Sequence, residues 1–239
     1  MADNPFTDGA HAGRIRRPRN PRRPRPFGAH VAEVVSGLQA RYLKQRPDAI
    51  ATLAQLRHAV NAEPGTTGLE AAWLPDALLE LDHRRYDDET HPRATPSERA
   101  LHTAVTFFAL HQQSQRDQRM HTPGTSFANA VQWLATVNAD GTVYKRFSSV
   151  SSASSYDEIT YHARHLVKQL RAAKIGFDYG LFADDLLTFQ RQGPLSNGLT
   201  GPDHVRSLWG REYWRAALPK AKMPAPPDDS APDPSTDQE

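Results

Sequence analysis

The stretch TPSERALHTAVTFFAL, residues 95–110, carries both the start signal and the apolar pattern of a deeply buried helix. Threonine at the N-cap, proline at the first helical position and glutamate at the third form a capping box. With about 100° of rotation per residue, Leu101 and Phe108 share one face, whereas Phe107 and Leu110 point elsewhere. A helix that is apolar on several sides is usually buried. We therefore expect this helix to be the most buried element of the protein.

The polar stretch that follows, HQQSQRDQRMH at residues 111–121, contains neither glycine nor proline. Gln112 continues the apolar face of the helix, so we expect it to be at least half buried and hydrogen-bonded within the protein. Arg116, Arg119 and His121 lie beyond the buried part. We expect the helix to end in a loop there and these three side chains to be accessible to a ligand.

The other core segments also have helical spacing, so we predict an all-α protein. Asp48 is expected to cap a helix that turns Ile50 and Leu53 inward. Ser155 and Asp178 have the sequence context of two further helix starts. The segment TVYKRFSSV at residues 142–150 fits either a strand or a short helix, and a short helix is expected after Pro75.

The two ends of the chain differ from the core in composition. Residues 1–30 carry seven arginines against two aspartates, and residues 219–239 carry five acids against two lysines. Both are rich in proline and lack a repeating apolar pattern, so neither buries enough surface to offset the entropy of ordering. We predict a compact helical bundle at residues 31–218 between two disordered tails. The PRRP motif at residues 21–24 matches a PxxP ligand, although we favour a loose electrostatic arm or an extension without a defined partner.

The composition excludes several classes of protein. The absence of cysteine excludes disulfides, thiolate zinc sites and cysteine nucleophiles. The basic N-terminus is not followed by the apolar region of a secretory signal. No apolar run approaches the roughly 18–20 residues that span a bilayer. We expect a soluble, cytoplasmic protein that does not contact membranes.

The residues that could support catalysis do not form a recognisable set. Eleven histidines include no H-E-x-x-H motif, and the pair His162 and His165 supplies two ligands, too few for a metal site. Asp184 and Asp185 are expected to point to solvent, away from the apolar face of their helix, where a pKa is not perturbed. There is also no phosphate loop and no G-x-S-x-G motif. We predict no metal, no cofactor and no enzymatic activity.

Basic residues are concentrated on one face of the helix that follows Tyr156. Taking Ile159 as the centre of the buried face, Arg164, Lys168 and Arg171 lie about 120–180° away. Such a stripe suits contacts with phosphates, which give affinity without reading sequence, although an ordinary solvated face has the same pattern. The candidate nucleic-acid-binding residues are Arg57, Arg116, Arg119, Lys145, Arg146, Arg164, Lys168 and Arg171. Among the aromatic residues, Trp209 is expected in the core and Trp214 at a contact surface.

The order of several segments resembles a known family. LAQLRHAVNAEPG is followed by ALHQQSQRDQRMHTPGTSFANAVQWLA, then by LRAAKIGFDYGLFADDL and finally by VRSLWGREYW. Over residues 53–214 this order is similar to the small subunit of the type I-E CRISPR surveillance complex, the CasB family of Cascade. The two tails lie outside the resemblance. Where relatives often have further arginines, NAVQWLA supplies Gln132 and Trp133, which replaces a charge with a residue that can stack.

The resemblance implies an all-helical subunit without catalytic activity. Its implied partners are the other Cascade subunits, a second copy of itself, the guide RNA (crRNA), and the target and displaced DNA strands. The guide RNA would read the sequence, while this subunit would bind backbone and stabilise the R-loop in antiviral defence.

Two alternatives remain open from the residues. The chain could be a helical scaffold that binds only protein, with the basic stripe meeting an acidic neighbour such as the region 76–98 of a second copy. A metal-dependent enzyme that uses histidine and aspartate is the third hypothesis and has the least support.

Overall fold

The structure, a computed structural model, describes residues 22–64, 73–74, 94–138 and 141–217. Within these ranges the chain is helical, which confirms the all-α prediction and assigns the ambiguous segment 142–150 to a helix. The predicted helix after Pro75, the first 21 residues of the N-terminal tail predicted at residues 1–30, and the tail predicted at residues 219–239 lie outside the described ranges. The helices are α1 Pro26–Leu43, α2 Pro47–His58, α3 Pro96–Gln112, α4 Phe127–Asn138, α5 Thr142–Ser152, α6 Tyr156–Ala172, α7 Tyr179–Phe189 and α8 Gly201–Ala217, with a 3₁₀ turn at Ala59–Asn61. None of the described helices is long and apolar enough to cross a membrane.

Helix α3 lies at the centre of the fold, as its sequence predicts. The Thr95 hydroxyl accepts the N–H of Glu98 at 3.2 Å, and the Glu98 carboxylate accepts the N–H of Thr95 at 2.7 Å, so the capping box is complete. Every residue from 100 to 109 is buried, because α1, α2, α6 and α7 pack around the helix.

The starts of α6 and α7 also follow the sequence. The Ser155 hydroxyl accepts the N–H of Glu158 at 3.1 Å, while the Glu158 carboxylate reaches back to the N–H of Ser154 at 2.7 Å. The Asp178 carboxylate accepts the N–H of Gly180 at 2.9 Å. Both helices therefore begin with a side chain that satisfies an otherwise unpaired amide.

Helix α2 differs in detail from its prediction. Ile50, expected inside, is 42% exposed, and the N-cap position is held by Arg46 rather than Asp48. The helix begins two residues earlier than predicted, at Pro47, and packs through Leu53 and Leu56. Asp48 thus falls in the first turn, where its carboxylate lies 3.7 Å from the Arg46 guanidinium.

Helix α7 overturns the expectation that Asp184 and Asp185 are solvated. Both are buried, with 4% and 1% of their surface exposed. The reason is that α7 packs against α1, α3 and α8, which leaves little of its circumference facing solvent. The apolar face of the helix was predicted correctly, but the opposite side is covered by residues 22–28 and by α8.

Asp184 caps a helix that is distant in sequence. The N-cap residue of α1, Arg25, has no local side-chain cap. Instead, the Asp184 carboxylate accepts the N–H of Arg25 at 2.6 Å and that of Gly28 at 2.9 Å. These are the two amide positions that a capping box satisfies within one segment. A Cβ at Gly28 would collide with Asp184 and with the carbonyl of Gly180, so glycine permits this close approach of α1 and α7.

The Asp185 carboxylate binds a residue of the segment that precedes α1. The Arg22 guanidinium forms a bidentate pair with the Asp185 carboxylate and lies 3.3 Å from a carboxylate oxygen of Glu212 on α8. The indole N–H of Trp209 donates to Asp185 at 2.7 Å. The predicted domain boundary between residues 30 and 31 is therefore wrong, because residues 22–30 belong to the folded core.

Arg22→Ala should destabilise the fold by about 2–4 kcal/mol, because it leaves a buried Asp185 carboxylate without its cationic partner. Arg23 is exposed, so Arg23→Ala is the matched control and should change the free energy of unfolding by no more than about 0.5 kcal/mol. Urea denaturation of the two variants measures the difference. Equal stabilities would contradict the assignment of Arg22 to the core.

Asp184→Asn should alter the pH dependence of stability. Burial raises the pKa of Asp184 to about 6, against the opposing effects of the Arg25 amide and charge and of the Gly28 amide. The native state then binds more protons than the unfolded state between about pH 4 and pH 6, so this group's stabilisation is lost as pH rises through that window. The stability of the unmodified chain relative to the variant should fall by up to roughly 3 kcal/mol from pH 4 to pH 7.

Urea midpoints measured along a pH series test this expectation. The exposed Asp117→Asn is the control, and its curve should run parallel to that of the unmodified chain. If the curve of Asp184→Asn also runs parallel to that of the unmodified chain, the expected pH dependence from Asp184 is contradicted.

Candidate nucleic-acid interface

The loop after α3 is organised by Gln112. This side chain is fully buried, as predicted, and its amide N–H₂ donates to the carbonyls of Gln115 at 2.5 Å and Gln118 at 2.8 Å. Its carbonyl oxygen accepts the N–H of Met120 at 3.2 Å. One amide side chain therefore replaces the backbone hydrogen bonds that end with the helix.

His121 is buried rather than accessible, which corrects its assignment as a ligand-facing residue. Its backbone N–H and carbonyl pair with the side-chain amide of Gln39 on α1, at 2.7 and 3.2 Å. Its ring Nδ1 accepts the N–H of Tyr179, and burial lowers the pKa of the imidazole. A backbone bridge between His121 and Phe177 joins the loop to the residues that precede α7.

Arg116 and Arg119 are exposed on this loop, as predicted. Neither pairs with a carboxylate within the part of the chain that the structure describes. Met120, which follows them, is fully buried, so the loop backbone is attached to the core beside the two guanidinium groups. The amide of Gln115 donates to the carbonyl of Arg171 at 3.3 Å, which places the loop against the C-terminal end of α6.

The predicted basic stripe on α6 divides into residues with different contacts. Lys168 is exposed. Arg171 is half-buried, and its guanidinium donates to the side-chain oxygen of Gln113 at 2.6 Å and to the carbonyl of Leu110 at 3.4 Å. It thus interacts with the C-terminal end of α3, where a cation is favourable. Arg164 donates to the side-chain oxygen of Asn61, one turn after the half-buried Arg57.

Helices α5 and α6 bring further cations together. Burial, followed by the charges of Lys168, Arg146 and Arg164, lowers the pKa of His165. Arg146 belongs to α5 and the other two cations to α6, so the two helices contribute to one positive region. Lys145 and Arg146 are exposed, and α5 contains no acidic residue. We call the surface formed by Lys145, Arg146, Arg164 and Lys168 the α5–α6 cationic surface.

The pair of histidines on α6 packs with an aromatic ring. The Tyr161 ring lies 5.3 Å from that of His162 and 4.8 Å from that of His165, both edge-on. Across the described ranges, no three metal-ligating side chains come together. The arrangement at this surface can bind anions, but it offers no recognisable set of reacting groups.

An exposed pair of aromatic rings, only one of which was predicted from the sequence, lies next to this surface. Trp214 is 57% exposed, as expected, and its ring lies 5.8 Å from that of Tyr144, which is 46% exposed. Tyr144 was not among the candidates, although Lys145 and Arg146 of the same segment were. Assigned as a helix, the spacing of Val143, Phe147 and Val150 would have placed Tyr144 at the edge of the buried face.

Comparisons with known proteins agree with this architecture. The model of a family described as CRISPR-associated protein Cse2 matches residues 52–214. CasB from Thermobifida fusca is 32% identical, with a TM-score of 0.62 over 80% of this chain and 99% of that one. Among curated proteins, no relative matches.

Two more distant structures share the fold. A Cse2-family protein from Thermus thermophilus is 21% identical, with a TM-score of 0.50 over 79% of this chain and 97% of that one. A chain of a CRISPR RNA-guided surveillance complex is 20% identical, with a TM-score of 0.51 over 80% of this chain and 94% of that one.

Arg171→Ala should lower the free energy of unfolding by about 1–2 kcal/mol, because it removes the hydrogen bonds to Gln113 and Leu110 at the end of α3. Lys168→Ala, one turn earlier on the same helix, is the control and should change stability by no more than about 0.5 kcal/mol. Urea denaturation measures both. If Arg171→Ala unfolds with the same free energy as the unmodified chain, Arg171 does not stabilise the end of α3. Its guanidinium group would then be available to bind phosphate.

Proposed function

The chain belongs to the CRISPR-associated Cse2 family, also called CasB, and from this premise we propose that it is a non-catalytic subunit of an RNA-guided surveillance complex of type I-E. In this role it contacts the other subunits, a second copy of itself, the guide RNA, and the target and displaced DNA strands in the cytoplasm. The guide RNA reads the sequence, and this subunit stabilises the R-loop by binding backbone.

The α5–α6 cationic surface is the observation that carries this proposal. Cations from two helices act together on His165, and α5 adds no acid to offset them. The exposed Arg116 and Arg119 lie on a loop that meets the C-terminal end of α6. Lysine and arginine side chains that bind phosphates give affinity for nucleic acid independently of its sequence.

The energetics of an R-loop explain why modest contacts suffice. The RNA–DNA heteroduplex is about as stable as the DNA duplex that it replaces, so strand exchange is nearly balanced. Several charge-assisted contacts of about 1–2 kcal/mol each are enough to shift such an equilibrium. Because contacts with phosphates carry no sequence information, they leave sequence recognition to the guide RNA.

Simultaneous charge reversal of Lys145, Arg146 and Lys168 to glutamate should shorten the lifetime of R-loops held by the assembled complex. If each residue contacts one phosphate of a single strand, the slope of log affinity against log salt should decrease by about 2. Lifetimes measured by dissociation of labelled target DNA at several salt concentrations give both quantities.

The matched control is charge reversal of Arg41, Lys44 and Arg46 at the turn between α1 and α2. It changes the net charge equally but leaves the α5–α6 cationic surface intact. An unchanged lifetime and salt slope in the first variant would refute nucleic-acid binding by this surface. Failure of that variant to join the complex would indicate a protein-docking surface instead.

A further inference from the structure

Tyr144 and Trp214 form an exposed aromatic pair between α5 and α8. Their rings are 5.8 Å apart at an interplanar angle of 59°. Beneath them, Tyr213 stacks on Phe147 at 4.5 Å and 15°, and both of these rings are buried. The exposed pair therefore rests on a rigid aromatic base, which limits the conformational entropy that a ligand would have to remove on binding.

Among the described residues of α5 and α8, the cations outnumber the acids. Of the two acids on α8, Asp203 pairs with Arg206 at 3.1 Å, and Glu212 is buried beside Arg22. Helix α5 contains no acid. The exposed cations on the two helices are Lys145, Arg146, Arg211 and Arg215.

Helix geometry connects the aromatic pair to the α5–α6 cationic surface. Successive residues of a helix are about 100° apart, so Tyr144 lies about 60° from Phe147 on one side, Arg146 about 100° from it on the other, and Lys145 nearly opposite. The three residues therefore cross the exposed side of α5 from one edge of its buried face to the other. Tyr144 meets α8 at Trp214, and α5 also packs against α6, where the charge of Arg146 acts on His165. One continuous surface thus crosses three helices, with cations on one part and aromatic rings on the other.

We propose that Tyr144 and Trp214 form a stacking platform for unpaired nucleobases, and that the neighbouring cations bind the phosphates of the same strand. This inference rests on the proposed function and names the form of nucleic acid that the surface selects. Aromatic rings interleaved with cations are typical of proteins that bind single strands, because every base has a face that can stack. In a duplex these faces are already stacked on neighbouring bases, so the platform favours the displaced strand.

The same observations argue against a protein partner at this position. Tyrosine, tryptophan and arginine occur in interfaces with protein and with nucleic acid alike, but lysine is depleted at protein–protein interfaces. Here Lys145 lies next to Tyr144, and Arg215 lies next to Trp214 in the chain. A polyanion complements this pattern of charge.

Trp214→Ala and Tyr144→Ala test the platform in the assembled complex. The target DNA carries 2-aminopurine in the strand that becomes unpaired, because stacking quenches the fluorescence of this base. Each variant should raise the fluorescence of 2-aminopurine in the R-loop. Each should also shorten the lifetime of the R-loop, and for Trp214→Ala the lifetime should fall by about 5- to 100-fold. The salt slope should stay unchanged, since no charge is removed.

Two further variants serve as controls. Ile50→Ala removes an apolar side chain that is 42% exposed on α2, away from the proposed surface, and should leave the fluorescence and the lifetime unchanged. Trp214→Phe should retain most of the quenching, because the phenyl ring also stacks.

The outcomes separate failure of the platform from failure of the proposed function. Unquenched bases in the unmodified complex, or alanine variants that match it in fluorescence and lifetime, would overturn the platform. The proposed function would still be tested separately by the charge-reversal variant of Lys145, Arg146 and Lys168. If Trp214→Ala is lost from the complex while Trp214→Phe assembles without quenching, the pair contacts protein and the platform is refuted.

Discussion

The fold depends on two adjacent carboxylates buried in α7. Asp184 and Asp185 lie about 100° apart around the helix, so each meets a different neighbour. Asp184 satisfies the N-terminal amides of α1, whereas Asp185 binds Arg22 and the indole N–H of Trp209. Burying two carboxylates is costly unless their hydrogen bonds are satisfied. The arrangement of α1, α7 and α8 is therefore specified by polar partners as well as by apolar contacts.

This buried network is continuous with the structure that supports the candidate interface. Asp178, at the start of α7, caps its own helix and also accepts the N–H of Gly124 at 2.7 Å. Gln39 on α1 pairs with the backbone of His121, and Gln112 closes the loop that carries Arg116 and Arg119. The position of the loop thus follows from the packing of α1 and α7. On the other side, α8 carries both Trp209 in the core and Trp214 at the surface.

Local signals in the sequence predicted most of the helices but not their polar partners. The capping box before α3, the burial of at least half of Gln112 and the exposure of Trp214 depend on neighbouring residues and on helical spacing, and all three predictions are confirmed. The solvated aspartates and the accessible His121 were wrong because their partners are remote in sequence: Arg22 is 163 residues from Asp185, and Gln39 is 82 residues from His121. No local pattern encodes such pairings. For the candidate site, exposure of Lys145, Arg146 and Lys168 was predictable, whereas the role of Arg171 at the end of α3 required the packing of α6.

The candidate surface combines two kinds of interaction that respond differently to conditions. Cations such as Lys145 and Lys168 attract phosphates of any strand, and salt weakens this attraction by screening and by reducing counterion release. Aromatic rings such as Trp214 interact with bases only when these are unstacked, and this contribution does not depend on charge. Neither interaction reads a sequence. A surface of this composition can therefore distinguish an open duplex from a closed one while remaining indifferent to which sequence has been opened, as a subunit that follows RNA-guided recognition requires.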